Sequence, residues 1–118
     1  MNRGDDTASE SDLSALIWMN GALGEIESNL AVKNWDSGKE IALLEAGAIK
    51  SVLGRFIKNE VTAAMVSGWA NMIEGREDVG WDLKDAELIS KFIYEAANPA
   101  LEGPITKAWA SNWLKVIG

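Results

Sequence analysis

The sequence predicts an all-α fold, a single-domain bundle of about five helices. Three observations predict it. Apolar residues recur every three or four positions in successive segments, which is the spacing of one helix face. Strict apolar–polar alternation is absent and β-branched residues are scattered, so no sheet beyond a chance bridge is expected. Helix caps and stops separate the segments: Thr62, Gly75, Asp82, Asn98-Pro99 and Thr106. At 118 residues the chain is long enough to bury a core without disulfide or metal staples.

Residues 1–10 (MNRGDDTASE) read as a disordered N-terminal arm, and residues 11–118 as one helical domain. Ser9 or Ser11 caps a first helix carrying Leu13, Leu16, Ile17, Leu23, Ile26 and Leu30. Gly21 and Gly24 each cost about 1 kcal/mol against alanine in a helix interior, so this helix breaks or bends there. Asn34-Trp35-Asp36-Ser37-Gly38 is a turn cluster. A second helix is expected from about Lys39 to Asn59. Its buried stripe is Ile41, Leu44, Ala48, Ile49, Val52, Leu53, Phe56 and Ile57, with Glu45, Lys50 and Lys58 toward solvent.

Thr62 caps a third helix with Met65, Val66, Trp69, Met72 and Ile73 inward, and Gly75 signals its end. Residues 78–82, centred on Val79-Gly80-Trp81, form the next connection. A fourth helix runs from about Lys84 to Ala97, burying Leu88, Ile89, Phe92, Ile93 and Ala96, and Asn98-Pro99 stops it. Gly103-Pro104 marks a loop. Thr106 caps the last helix, which carries Trp109, Trp113, Leu114 and Ile117.

The formal net charge of −7 argues against a nucleic-acid surface, since phosphate contacts need clustered Lys and Arg. There is no cysteine, hence no disulfide framework and no thiol chemistry. The polar, acidic start resembles neither a signal nor a transit peptide, and no apolar run approaches the ~18 residues of a membrane span. A cytoplasmic protein that engages no membrane is expected. Six tryptophans are spread along the chain, so most of them belong to the core or its edge.

The densest charge feature is the run 74–87 (EGREDVGWDLKDAE), with six acids against Arg76 and Lys84, surrounding Trp81. Its acids lack calcium-loop spacing, and with no histidine or cysteine a zinc site would need carboxylates alone. No metal and no cofactor are expected. A catalytic carboxylate pair needs one acid in an apolar pocket, and this run is too polar for that. Without histidine no ordinary Ser or Thr triad exists, and Tyr94, beside Phe92 and Ile93, reads as a core-edge residue. The pair Trp109 and Trp113, at i and i+4, reads as core packing.

A helix end in solvent accounts for Asp82 as N-cap and for Asp85 and Glu87 in the first turns. It accounts less well for Glu77 and Asp78, which follow a helix C-terminus against the dipole. Residues held against a local preference are candidates for function. The candidate partner surface is therefore Glu74, Glu77, Asp78, Asp82 and Asp85, with Trp81 as aromatic anchor. The competing reading of Trp81 is a lid folded back over the core.

The stretch Ala48–Leu114 carries AIKSVLGRFIKNEVTAAMVSGWANMIEGREDVGWD and then ISKFIYEAANPALEGPITKAWASNWL. It resembles small acidic α-helical immunity proteins of bacterial polymorphic and contact-dependent inhibition toxin systems. The likeness lies in Trp69-Ala70-Asn71, Glu74, Arg76-Glu77-Asp78-Val79-Gly80, and Phe92 through Ala97-Asn98-Pro99, and it covers a little over half of the chain. It implies a cytoplasmic, non-enzymatic protein that binds and neutralises a cognate toxin domain, often a nuclease. Charge agrees with that implication: a nuclease needs a basic surface, which an acidic inhibitor can cover. The alternative with the same composition is a helical adaptor or regulatory subunit unrelated to toxins.

Overall fold

The computed structural model describes residues 10–20, 24–26, 28, 42–76 and 79–117. The expectations for residues 1–9 of the N-terminal arm, Gly21, Leu23, Leu30, the turn cluster at 34–38, Lys39 and Ile41 lie outside them, while Glu10, expected in the arm, opens the first helix. Among the described residues the chain is mostly helical. It contains α1 (Glu10–Ile17), α2 (Ala46–Ile57), α3 (Ala63–Glu74), α4 (Ala86–Ala97), α5 (Pro99–Glu102) and α6 (Lys107–Ile117). A 3-10 turn at Leu83–Asp85 leads into α4, there are two strands, β1 (Ala42–Leu44) and β2 (Val79–Trp81), and residues 24–26 and 28 are also helical.

The expected count of about five helices is therefore too low. The fourth helix divides into the 3-10 turn plus α4, and Pro99 opens α5 after the stop at Asn98. Proline fits that first helical position because its missing N–H would have no partner there.

The larger correction concerns the second helix. It begins at Ala46, and Ala42–Leu44, expected within its first turns, form β1 instead. β1 pairs in parallel with β2, in the register Ala42↔Val79, Leu43↔Gly80, Leu44↔Trp81. A short apolar run such as Ala42-Leu43-Leu44 fits a strand or a helix turn equally well by periodicity. Here the strand also gives the backbone of residues 79–81 its hydrogen-bond partners. Leu44 is fully buried in either reading, while Leu43 faces solvent.

Where caps are strong, the boundaries fall as the residues dictate. The Thr62 side chain accepts from Met65 N at 3.1 Å and opens α3. Gly75 closes α3, and Thr106 Oγ1 accepts from Trp109 N at 3.1 Å at the start of α6. The first helix ends at Ile17, short of the expected break at Gly21, because the chain turns at Trp18 and at Met19, whose φ is +50°. Gly103, with φ +111°, takes a conformation that side chains rarely adopt.

One core joins all of this. α3 packs along α4, α2 along α6, and α1 lies against β1 and α3. Trp69 and Phe92 are fully buried at its centre, with rings 6.1 Å apart edge to face. Phe92 then stacks on Trp109 at 5.5 Å and meets Trp113 edge-on at 5.4 Å. The expected core roles of Trp69, Trp109 and Trp113 are observed. Trp18 departs from the pattern at 37% exposure.

Candidate partner-binding surface

The surface is built outward from β2. Strand pairing fixes the backbone of residues 79–81, and Asp82 N extends it by donating to the Leu44 carbonyl at 3.1 Å. Val79 and Gly80 are buried and Trp81 is half-buried, its apolar surface packed against the core. Asp82 Oδ1 accepts from Lys84 N at 3.2 Å, and Asp85 N donates to the Asp82 carbonyl at 3.1 Å. These bonds satisfy the first donors of the 3-10 turn, so Asp82 is the cap that its sequence position implied. Its carboxylate is thereby committed in part to the fold.

Trp81 forms one wall of a groove of about 530 Å³, together with Ala86, Glu87, Ser90, Lys91 and Tyr94. The other wall is the outward face of α4, where Glu87, Ser90, Lys91 and Tyr94 recur at helical spacing. Tyr94 is 46% exposed, which corrects its reading as a core-edge residue. Phe92 and Ile93 occupy the inward face of α4, and Tyr94 falls on the opposite one. An adjoining hollow is lined by Lys84, Asp85, Ala86, Glu87 and Leu88.

A second groove, of about 280 Å³, runs between α4 and α6 and is lined by residues that include Lys91, Glu95, Trp109 and Trp113. Glu95 Oε1 accepts from both Trp109 Nε1 and Trp113 Nε1, each at 3.2 Å. One carboxylate oxygen thus holds two indoles in place. The face of α4 between the grooves has aromatic rings on both sides.

The sequence-derived candidates separate into three groups. Trp81 and Asp85 lie at the groove or its adjoining hollow, and Asp82 caps the turn between them. Glu74 is exposed at the end of α3 and lines neither depression. Glu77 and Asp78 lie outside the described residues. The structure adds Glu87, Ser90, Lys91 and Tyr94, which were not among the candidates. The signal for them was present: on α4 the buried set Ile89, Phe92, Ile93 and Ala96 leaves 87, 90, 91 and 94 on the open side.

Trp81 packs on the core, as the lid reading expects, and also lines an open groove. Among the described residues no cluster of three or more His, Cys, Asp or Glu stands close enough to hold a metal ion. Among them, too, no helix is long and apolar enough to cross a membrane.

The chain matches no family model, no curated relative and no solved structure. The likeness of Ala48–Leu114 to immunity proteins gains no support from those comparisons.

Proposed function

We propose that this protein is a stoichiometric binder of a basic protein partner. In its most specific form it is an immunity protein that neutralises a cognate bacterial toxin domain, a nuclease, by covering that domain's basic surface in the cytoplasm. The observation that carries the reading is the groove itself. Trp81 stands half-exposed at its wall, beside Glu87 and next to Asp85, on a chain of net charge −7. An aromatic ring gives such an interface its anchor, and surrounding acids give it speed and partner choice. The exposed acids of the run and the open side of Trp81 then share one role, contact with a cationic protein surface.

The protein has no catalytic role in this reading and acts one-to-one. The test is a titration. The C-terminal domain of the protein encoded immediately upstream is purified and its activity measured against increasing amounts of this protein. Inhibition that saturates near equimolar supports the reading. Substoichiometric protection, with the toxin chemically altered, overturns it in favour of an enzyme. Binding to a non-toxic enzyme subunit instead moves the protein to the adaptor class.

A further inference from the structure

We propose that the groove between Trp81 and Tyr94 receives an arginine side chain of the partner protein. The inference rests on the proposed binding function and names the chemistry its central contact recognises. The groove offers two aromatic side chains, Trp81 and Tyr94, and one acid, Glu87, within a single depression of about 530 Å³. Aromatic faces attract cations through the ring quadrupole, and tryptophan does so best. A planar guanidinium stacks on such rings and gives up its hydration more readily than an ammonium. A carboxylate at the rim accepts two of its parallel N–H groups. Ser90, exposed on the same wall, offers a hydroxyl acceptor.

Lys91 is the one cation in the lining. It lies one helical turn from Glu87, at i+4, the spacing at which glutamate and lysine attract one another along a helix. Its charge opposes that of an incoming arginine. A guanidinium offsets that opposition better than a lysine ammonium, because only the fork makes two bonds to Glu87 and a stack at once. The overall negative charge supplies the long-range attraction that brings a cationic segment to this face.

The test is an NMR titration of the intact protein with N-acetyl-arginine amide, with the lysine and citrulline counterparts as controls. The readouts are the indole N–H of Trp81 and the ring protons of Tyr94. Saturable shifts at both are expected with the arginine probe, binding about fivefold weaker with lysine, and none with uncharged citrulline. Glu87→Gln and Tyr94→Ala, both on the exposed face of α4, should each weaken the arginine probe about fivefold while leaving the amide spectrum folded. Lys91→Gln should tighten it about twofold.

Equal binding of citrulline, or an unchanged affinity in Glu87→Gln, overturns the assignment. Its fate is separable from that of the proposed function. If the upstream toxin domain is inhibited one-to-one while the arginine probe leaves Trp81 and Tyr94 unshifted, the arginine site falls and the function stands. If the probe binds as described and no partner is inhibited, the site stands and the function falls.

Discussion

The indole N–H of Trp69 donates to the Leu16 carbonyl at 2.8 Å, joining residues 53 positions apart in sequence. The same N–H lies 3.2 Å from the Ile17 carbonyl, and Arg55 donates to the carbonyls of Met19 and Trp18. The last carbonyls of a helix have no partner within it. Here turn bonds from Trp18, Met19 and Asn20 to the carbonyls of Ser14, Leu16 and Ala15 share the end of α1 with a side chain from α3 and another from α2, so its docking is specified by polar groups as well as by apolar burial.

Trp69→Phe keeps most of the ring volume and removes the donor. It should cost about 1–3 kcal/mol, from the Ile17 carbonyl left without its indole partner and the small cavity, while the Leu16 carbonyl keeps Met19 N at 3.1 Å. Urea unfolding measures this, and a loss under about 0.5 kcal/mol would show the bond to be incidental.

Glu95 ties α4 to α6 through the two indoles. Glu95→Ala should cost about 1–3 kcal/mol, since it strands two part-buried N–H donors. Glu95→Gln keeps an acceptor oxygen and should lose less than half as much. Equal losses in the two variants would mean that the carboxylate acts through its charge and not through acceptance.

Asn59, with φ +66°, follows α2 in the left-handed region, and its neighbours close the helix with Asn59 N to Phe56 O at 3.0 Å and Glu60 N to Arg55 O at 2.8 Å. This is the bonding of a glycine-type helix stop. Asn59→Gly should be neutral or stabilise by up to about 1 kcal/mol, while Asn59→Val should destabilise by about 1–2 kcal/mol. Paired thermal melts decide between the two signs.

These cases also show where the sequence was sufficient. Thr62, Gly75 and Thr106 act locally, so helix boundaries at those residues could be read from the chain alone. β1 could not be read that way, because Ala42-Leu43-Leu44 becomes a strand only through pairing with residues 79–81, more than thirty positions later. Trp81 drew notice through the charge of its segment. Its groove depends on which face of α4 lies beside it, a tertiary fact, and so Glu87 was read only as a helix-start acid and Tyr94 only as a core-edge residue.

Trp81 has two attachments, one to the core and one to the groove, and Trp81→Ala should register in both. A cost of about 2 kcal/mol or more in partner affinity is expected, with a stability loss below that of burying or removing a whole core ring, which runs to about 3–5 kcal/mol. A sharp fall in melting temperature with unchanged partner affinity would make Trp81 a lid over the core and nothing more.

The most direct test of the binding account is the association rate of the partner as a function of salt, measured by stopped flow. The wild type is compared with the double variant Asp85→Lys and Glu87→Lys, with far-UV circular dichroism as the check that α4 is intact. The account predicts association at least about tenfold slower at low salt in the variant, with a flatter dependence on ionic strength. A folded variant that associates at the wild-type rate, with the same salt dependence, would contradict it.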